Sequence, residues 1–332
     1  MTQKTYRAMV VEEIGDKRFS RTITEKTIDQ LPDGEVLIKV SWSSLNYKDA
    51  LSASGNRGVT RKYPHTPGID ASGVVEESRS DAFHPGDKVI VTSYDLGMNT
   101  SGGFAQYIRV PAAWVVPLPA GLDLRESMIF GTAGFTAGMS VMALTHSVPV
   151  DRGDVLVTGA TGGVGSLSVA ILAGLGYSVT AVSGKTTAES FLKKLGARKI
   201  ISRSEATAGH ERPLLKGLWA GVIDTVGGEI LASAIKSTDL QGVVTCCGNV
   251  ASPELSLTVF PFILRGVSLV GIDSQNCPME YRRKVWQHLA SDWKPALLND
   301  LCREVTLDDL DSEIELILRG AQTGRIIVRM ES

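Results

Sequence analysis

The chain is poor in the residues that cross-link or ligate. Its 332 residues include only 4 cysteines and 5 histidines. Cys246, Cys247, Cys277 and Cys302 show no Cys-x-x-Cys spacing, which argues against both a disulfide frame and a thiolate zinc cluster. Positive charge is not in excess: 34 Lys and Arg stand against 36 Asp and Glu, and the formal net charge is -2. With no basic block, nucleic acid is not an expected partner. No apolar run reaches the ~20 residues of a bilayer span, so no membrane partner is expected. The opening Met-Thr-Gln-Lys-Thr-Tyr-Arg lacks the apolar core of a secretory leader. Together these gaps predict a cytoplasmic protein with reduced thiols. What remains is ordinary globular composition, 43% hydrophobic and 21% charged, at a length that suggests two domains.

Residues 1–125 read as β-rich. Arg7-Ala-Met-Val-Val, Glu35-Val-Leu-Ile-Lys-Val, Gly73-Val-Val, Lys88-Val-Ile-Val and Ala105-Gln-Tyr-Ile-Arg-Val are short β-branched runs separated by turns such as Pro32-Asp33-Gly34. Near Leu124-Arg-Glu-Ser the pattern changes to a helix start with an Ala/Gly-rich continuation. Beyond Asp154, apolar strands alternate with helical segments, the signature of a doubly wound parallel sheet covered on both faces. Gly324-Arg-Ile-Ile-Val-Arg is a further strand expected to rejoin the β-rich part. The expected division is 1–125 with 275–332 for the β-rich domain and 126–274 for the parallel-sheet domain, one inserted in the other.

Val155-Leu-Val-Thr-Gly-Ala-Thr-Gly-Gly-Val-Gly reads as strand, turn and helix start. The strict Gly-x-Gly-x-x-Gly is absent; Gly159, Ala160, Thr161, Gly162, Gly163, Val164 and Gly165 offer Gly-x-x-Gly-Gly-x-Gly instead. Glycines alone only shape turns, but between an apolar strand and an Ala-rich helix they let a pyrophosphate approach the helix N-terminus. An NAD site usually places an acid about 20 residues further on, against the ribose 2′-hydroxyl. Here the next strand ends Ala181-Val-Ser-Gly-Lys, with no acid before Glu189. Ser183, Gly184 and Lys185, with Arg203 beyond the following strand, suit a 2′-phosphate. NADPH is the expected cofactor.

The order of a β-rich segment, Gly131-Thr-Ala-Gly-Phe-Thr-Ala137 and Gly159-Ala-Thr-Gly-Gly-Val-Gly165 resembles the medium-chain dehydrogenase/reductase superfamily over essentially the whole chain. Ser43-Ser-Leu-Asn-Tyr-Lys-Asp49, His65-Thr-Pro-Gly-Ile-Asp-Ala-Ser-Gly73, Ser93-Tyr-Asp-Leu-Gly-Met98 and Gly102-Gly-Phe-Ala-Gln-Tyr107 narrow the resemblance to the zinc-free quinone oxidoreductase branch, which contains NADPH-dependent acryloyl-CoA reductases. The resemblance implies an α/β protein: a GroES-like β-rich catalytic domain plus a Rossmann doubly wound domain. Zinc alcohol dehydrogenases of this superfamily carry Cys where this chain has Asn46, and His-Glu where it has Ile69-Asp70. Asn and Ile cannot complete a set of three zinc ligands, so no metal is expected. Related enoyl thioester reductases carry Gly-Asn-Tyr-Gly, whereas residues 55–58 here read Gly-Asn-Arg-Gly, so that tyrosine's role cannot be transferred to Arg57.

Without a Lewis acid, a conjugated enone or enoyl thioester is the suitable acceptor, its enolate oxygen stabilised by hydrogen bonds. Asn46, Tyr47, Lys48 and Asp70 are the expected catalytic group. In it, Asn46 donates to a substrate carbonyl or orients the nicotinamide, Tyr47 or Lys48 supplies a proton or contacts cofactor phosphates, and Asp70 orients Asn46 or Lys48. Asp49 is expected to cap a helix. Further expected cofactor contacts are Thr132, by the resemblance, and Gly248, Ser274 and Arg325 by position. Arg57 and Arg61 are expected to meet CoA phosphates. The leading expectation is reduction of acryloyl-CoA to propionyl-CoA by a homodimer that could pair through the strand near 242–246. A quinone reductase and a non-enzymatic NADPH-binding sensor are the alternatives.

Overall fold

A computed structural model describes residues 4–330. The chain divides into two compact units: one holds the stretch up to Thr132 with Gln275–Lys284 and the segment from Leu298, the other Ala133–Ser274 with Val285–Leu297. The division differs from the expected boundaries in two places. Residues 126–132 cluster with the β-rich unit instead of the parallel-sheet unit. Val285–Leu297 clusters with the parallel-sheet unit, where fully buried Trp286 stacks on Phe135 at 6.2 Å.

The β-rich unit begins with a hairpin of β1 (Thr5–Gly15) and β2 (Arg18–Thr27). Five strands follow: β3 (Val36–Leu45), β4 (Asp70–Ser78), β5 (Lys88–Thr92), β6 (Tyr107–Val110) and β7 (Val115–Pro117). Between β3 and β4 lies the short helix α1 (Tyr47–Ala53). The parallel-sheet unit holds β8 (Val155–Val157), β9 (Val179–Val182), β10 (Lys199–Ile201), β11 (Trp219–Asp224), β12 (Thr238–Cys246) and β13 (Ser268–Gly271). Their order is β10-β9-β8-β11-β12-β13, all parallel. Every residue of β8, β9 and β11 is buried, as expected of strands covered on both faces. Two more strands, β14 (Cys302–Thr306) and β15 (Arg325–Arg329), complete the seven-stranded sheet of the β-rich unit. There β15 lies between β14 and β3 and is antiparallel to β3, with Ile327 opposite Ser44.

Two expectations need correction. Helix α2 (Leu124–Thr145) is, at 22 residues, long and apolar enough to cross a membrane, contrary to the reading that no such run exists. Its most apolar window is 78% buried within the protein, and the helix is broken at Gly131, so it is a core helix. The strand at 242–246 is also not an edge: β12 is flanked by β11 and β13, and β13 is the edge.

Candidate active site

The β-rich unit gathers its polar groups at the end of β3. Asn46 follows that strand directly, as N-cap of α1. Asp49, at the third helical position, reaches back so that its carboxylate accepts from Asn46 N at 2.8 Å and from Ile69 N at 2.8 Å. The cap is therefore Asn46, with Asp49 as its partner across the turn. Asp49 is fully buried, and burial, reinforced by the neighbouring Asp70 charge, pushes its carboxyl up to about 7.

Asp70 opens β4 and is also fully buried. It accepts from Asn46 Nδ2 (2.7 Å), Ser44 Oγ (2.6 Å), Thr132 Oγ1 (2.6 Å) and Thr132 N (2.9 Å). The Arg325 guanidinium stands 4.0 Å away. Arg325 itself is only 2% exposed and donates to Ile129 O, Leu45 O, Asn46 Oδ1 and Ser44 Oγ. Burial lowers its pKa, against the raising effect of Asp70 and Asp49. Gly131 closes the group. A Cβ there would lie 2.4 Å from Asp70 Oδ2 and 2.5 Å from Ser44 Oγ, and its φ of 50° disfavours other residues.

These contacts revise two expected roles, those of Asn46 and Arg325. Asn46 Nδ2 is spent on Asp70, Ser44 O and Asp49, so the amide holds the group together instead of donating to a substrate. Arg325 does not reach outward to a cofactor; it is the buried counter-charge of Asp70. Arg57 pairs with Glu13 at 2.5 Å, donates to Arg61 O and lies over the rings of Phe19 and Tyr63. Its charge is therefore engaged with Glu13 within the β-rich unit. Arg61 is exposed. Tyr47 is 37% exposed at the first turn of α1, and half-buried Lys48 donates to Gln275 Oε1 at 2.9 Å. Ser44, Ser93, Gly131 and Gln275 had no expected role. Ser44, Ser93 and Gly131 lie in stretches quoted for the resemblance, while nothing in sequence marked Gln275.

The group around Asp70 does not suit a metal. Its carboxylate faces N–H and O–H donors and a guanidinium, an arrangement that satisfies an anion and repels a cation. Ile69 is a buried hydrocarbon side chain. The residues present do not fit zinc.

In the parallel-sheet unit, α3 (Gly163–Gly174) starts directly after the glycine turn, with Gly162 at its N-cap. A Cβ at Gly165 would lie 2.3 Å from Gly159 O, so only glycine permits this tight turn. Ala160 and Thr161 are buried beneath it and Gly162, Gly163 and Val164 are half-buried, leaving backbone available to a phosphate. Past β9, Ser183 Oγ accepts from Lys185 N at 3.0 Å. The Arg203 guanidinium lies against Gly184, where an added Cβ would sit 2.8 Å from its Nε. Burial and the Arg203 charge lower the pKa of Lys185. The structure thus brings two cations together beside Gly184. Gly248 follows β12 and packs on Thr225, and Ser274 lies past β13. Burial, with Asp224 beside it, pushes the Cys247 thiol up to about 12, which disfavours the thiolate.

A dinucleotide-type sheet and a β-rich unit with a buried amide–carboxylate–guanidinium group define the architecture of a nicotinamide-dependent oxidoreductase. Residues 32–120 match the alcohol dehydrogenase GroES-like domain and residues 163–291 the zinc-binding dehydrogenase domain. The acrylyl-CoA reductase AcuI of Ruegeria pomeroyi is 43% identical over 97% of this chain and 98% of its own length. The yhdH oxidoreductase of Salmonella enterica, solved in complex with NADP, superposes with a TM-score of 0.95 at 42% identity, covering 98% of this chain and all of its own. Protein yhfP of Bacillus subtilis, solved with NAD bound, gives a TM-score of 0.96 at 43% identity, covering 98% of this chain and 99% of its own. The chain belongs to the medium-chain dehydrogenase/reductase superfamily, in the branch of these relatives.

Proposed function

We propose that the protein is an NADPH-dependent, zinc-independent reductase of activated carbon–carbon double bonds, with acryloyl-CoA reduced to propionyl-CoA as its reaction. NADPH, when bound, supplies the hydride. The observation that carries the cofactor choice is the pair of cations at Gly184: Lys185 and Arg203 flank a position where an NAD site would place an acid. The Gly159–Gly165 turn and the start of α3 hold the pyrophosphate, Ser183, Lys185 and Arg203 the 2′-phosphate. Thr132, Gly248 and Ser274 are proposed as further contacts. The acyl-CoA choice is supported by the likeness to AcuI.

The chain's own catalytic contribution divides in two. Asn46, Asp70, Ser44 and Arg325 form a buried, charge-compensated frame that fixes the start of α1. On that frame, Tyr47 and Lys48 are proposed to supply the O–H and N–H groups that stabilise a developing enolate oxygen and deliver the α-proton. Arg61 is proposed as a CoA phosphate contact. Quinone reduction is the second reading, favoured by the pairing of Arg57 with Glu13, which leaves less unpaired positive charge for a CoA tail. The protein is further proposed to form a homodimer through the β13 edge and the helix Phe260–Arg265, where Ile263 (68% exposed), Leu264 (59%) and Leu269 (38%) present apolar side chains to solvent. A cytoplasmic location suits its four free thiols.

The test is NADPH oxidation by metal-stripped protein with acryloyl-CoA, crotonyl-CoA and a simple quinone in parallel, and NADH as control. Turnover of acryloyl-CoA with NADPH is the expected result. Activity confined to quinones would discard the CoA reading, and equal use of NADH would discard the role of Lys185 and Arg203. Binding of NADPH without turnover of any acceptor would favour a sensor.

A further inference from the structure

Ser93 and Tyr94 lie one after the other in the left-handed region, with φ of 63° and 51°, a conformation that serine and especially the bulky tyrosine rarely adopt. Such backbone persists only where its surroundings over-determine it, and it concentrates at functional sites. The surroundings here are specific. Ser93 N donates to Ile69 O at 2.8 Å and Tyr94 N to Gln275 O at 3.2 Å. The Tyr94 ring stacks on Trp114 at 5.7 Å with an interplanar angle of 9°, and the Arg282 guanidinium lies 4.4 Å from the Tyr94 ring centroid. Arg282 is completely buried and donates to Thr92 O and Thr92 Oγ1, just before the turn.

The turn serves two neighbours. Ser93 Oγ sits 2.9 Å from Thr132 Oγ1. The Thr132 hydroxyl proton is committed to Asp70 Oδ1 at 2.6 Å, so Ser93 must be the donor in its own bond, and the order is Ser93 to Thr132 to Asp70. On the other side, Gln275 accepts Tyr94 N through its carbonyl and Lys48 Nζ through its side chain. One strained turn is thus tied at one end to the Asp70 frame and at the other to Lys48.

We infer that Ser93 is a positioning residue: its hydroxyl orients Thr132 on Asp70, and the strained turn keeps that frame in register with Lys48. Its effect on turnover rests on the reductase reading; its effect on Thr132 does not. Ser93→Ala removes the hydroxyl and keeps the strained backbone, whereas Ser93→Gly removes both. A merely structural serine would leave kcat of the glycine variant at the wild-type value. The expected result is that Ser93→Gly melts at or above the wild-type temperature, yet both variants lose kcat with acryloyl-CoA by roughly 10-fold to 100-fold. In the absence of cofactor, hydrogen exchange of the peptide carrying the Thr132 amide accelerates in both variants. Wild-type kcat in Ser93→Gly, or unchanged Thr132 exchange, would overturn the inference. A wild-type protein that reduces no acceptor would remove the reductase reading alone, and the exchange rates would then decide the role of Ser93.

Discussion

Replacing Arg325 with methionine tests whether the guanidinium is the counter-charge of a buried acid group. Methionine keeps most of the length and apolar stem, so the loss is confined to charge and hydrogen bonds. Four acceptors lose their donor: Ile129 O, Leu45 O, Asn46 Oδ1 and Ser44 Oγ. Asp70, fully buried 4.0 Å from the guanidinium, loses its cation. Removing one member of a buried pair typically costs about 3–5 kcal/mol. For a unit of this size that is a fall in melting temperature of roughly 6–20 °C. Thermal melts of Arg325→Met and wild type at neutral pH measure that fall directly. A variant melting within about 2 °C of wild type would refute the argument.

Three further outcomes follow from the geometry. Asp49 has a folded-state pKa of about 7, raised from 3.8, so the stability its proton confers is full below the lower value and is lost as pH rises through the higher. In denaturant titrations, Asp49→Asn should fall short of wild type most at pH 5, where its amide mismatches the donors of Asn46, with the gap narrowing by pH 8. Gly165→Ala should abolish NADPH binding in a fluorescence titration, because its Cβ meets backbone at 2.3 Å; Gly162→Ala, with nothing closer than 3.4 Å, should bind nearly as wild type. Ile263→Glu in the helix Phe260–Arg265 should turn the proposed dimer into a monomer in sedimentation velocity without loss of fold, since the side chain is 68% exposed; an unchanged sedimentation coefficient would discard that interface.

Strands with a strong local pattern were legible in sequence. The six parallel strands carry continuous apolar runs, and the glycine turn between β8 and α3 could be read from spacing and context. Less legible was β2, Arg-Phe-Ser-Arg-Thr-Ile-Thr-Glu-Lys-Thr, which buries no full face and owes its place to pairing with β1. Periodicity is faint where a strand is held chiefly by its neighbour's backbone. At the site, Asn46 and Asp70 were recognisable from residue chemistry and resemblance, but their assignments changed because the amide's hydrogens are consumed locally. The role of Arg325 lay beyond local reading: a charge at the start of a strand looks solvated until the strand is placed beside β3. The same holds for Arg57, whose partner Glu13 lies on the first hairpin. Contacts between distant segments decide these cases, and no window of sequence contains both partners.

The placement of β15 beside β3 has a consequence in time. The guanidinium that neutralises Asp70 is encoded 281 residues after Ser44, with which it shares a hydrogen bond. At roughly 5–20 residues per second, a ribosome needs about 14–56 s to make that stretch. For most of that interval Asp49 and Asp70 exist on a nascent chain without their cation, and closing the β-rich unit around them would bury uncompensated charge. The parallel-sheet unit, almost wholly contained between residues 133 and 297, meets no such delay. The unit whose synthesis starts first is therefore completed second, after the strand that carries the chain's own counter-ion has been made.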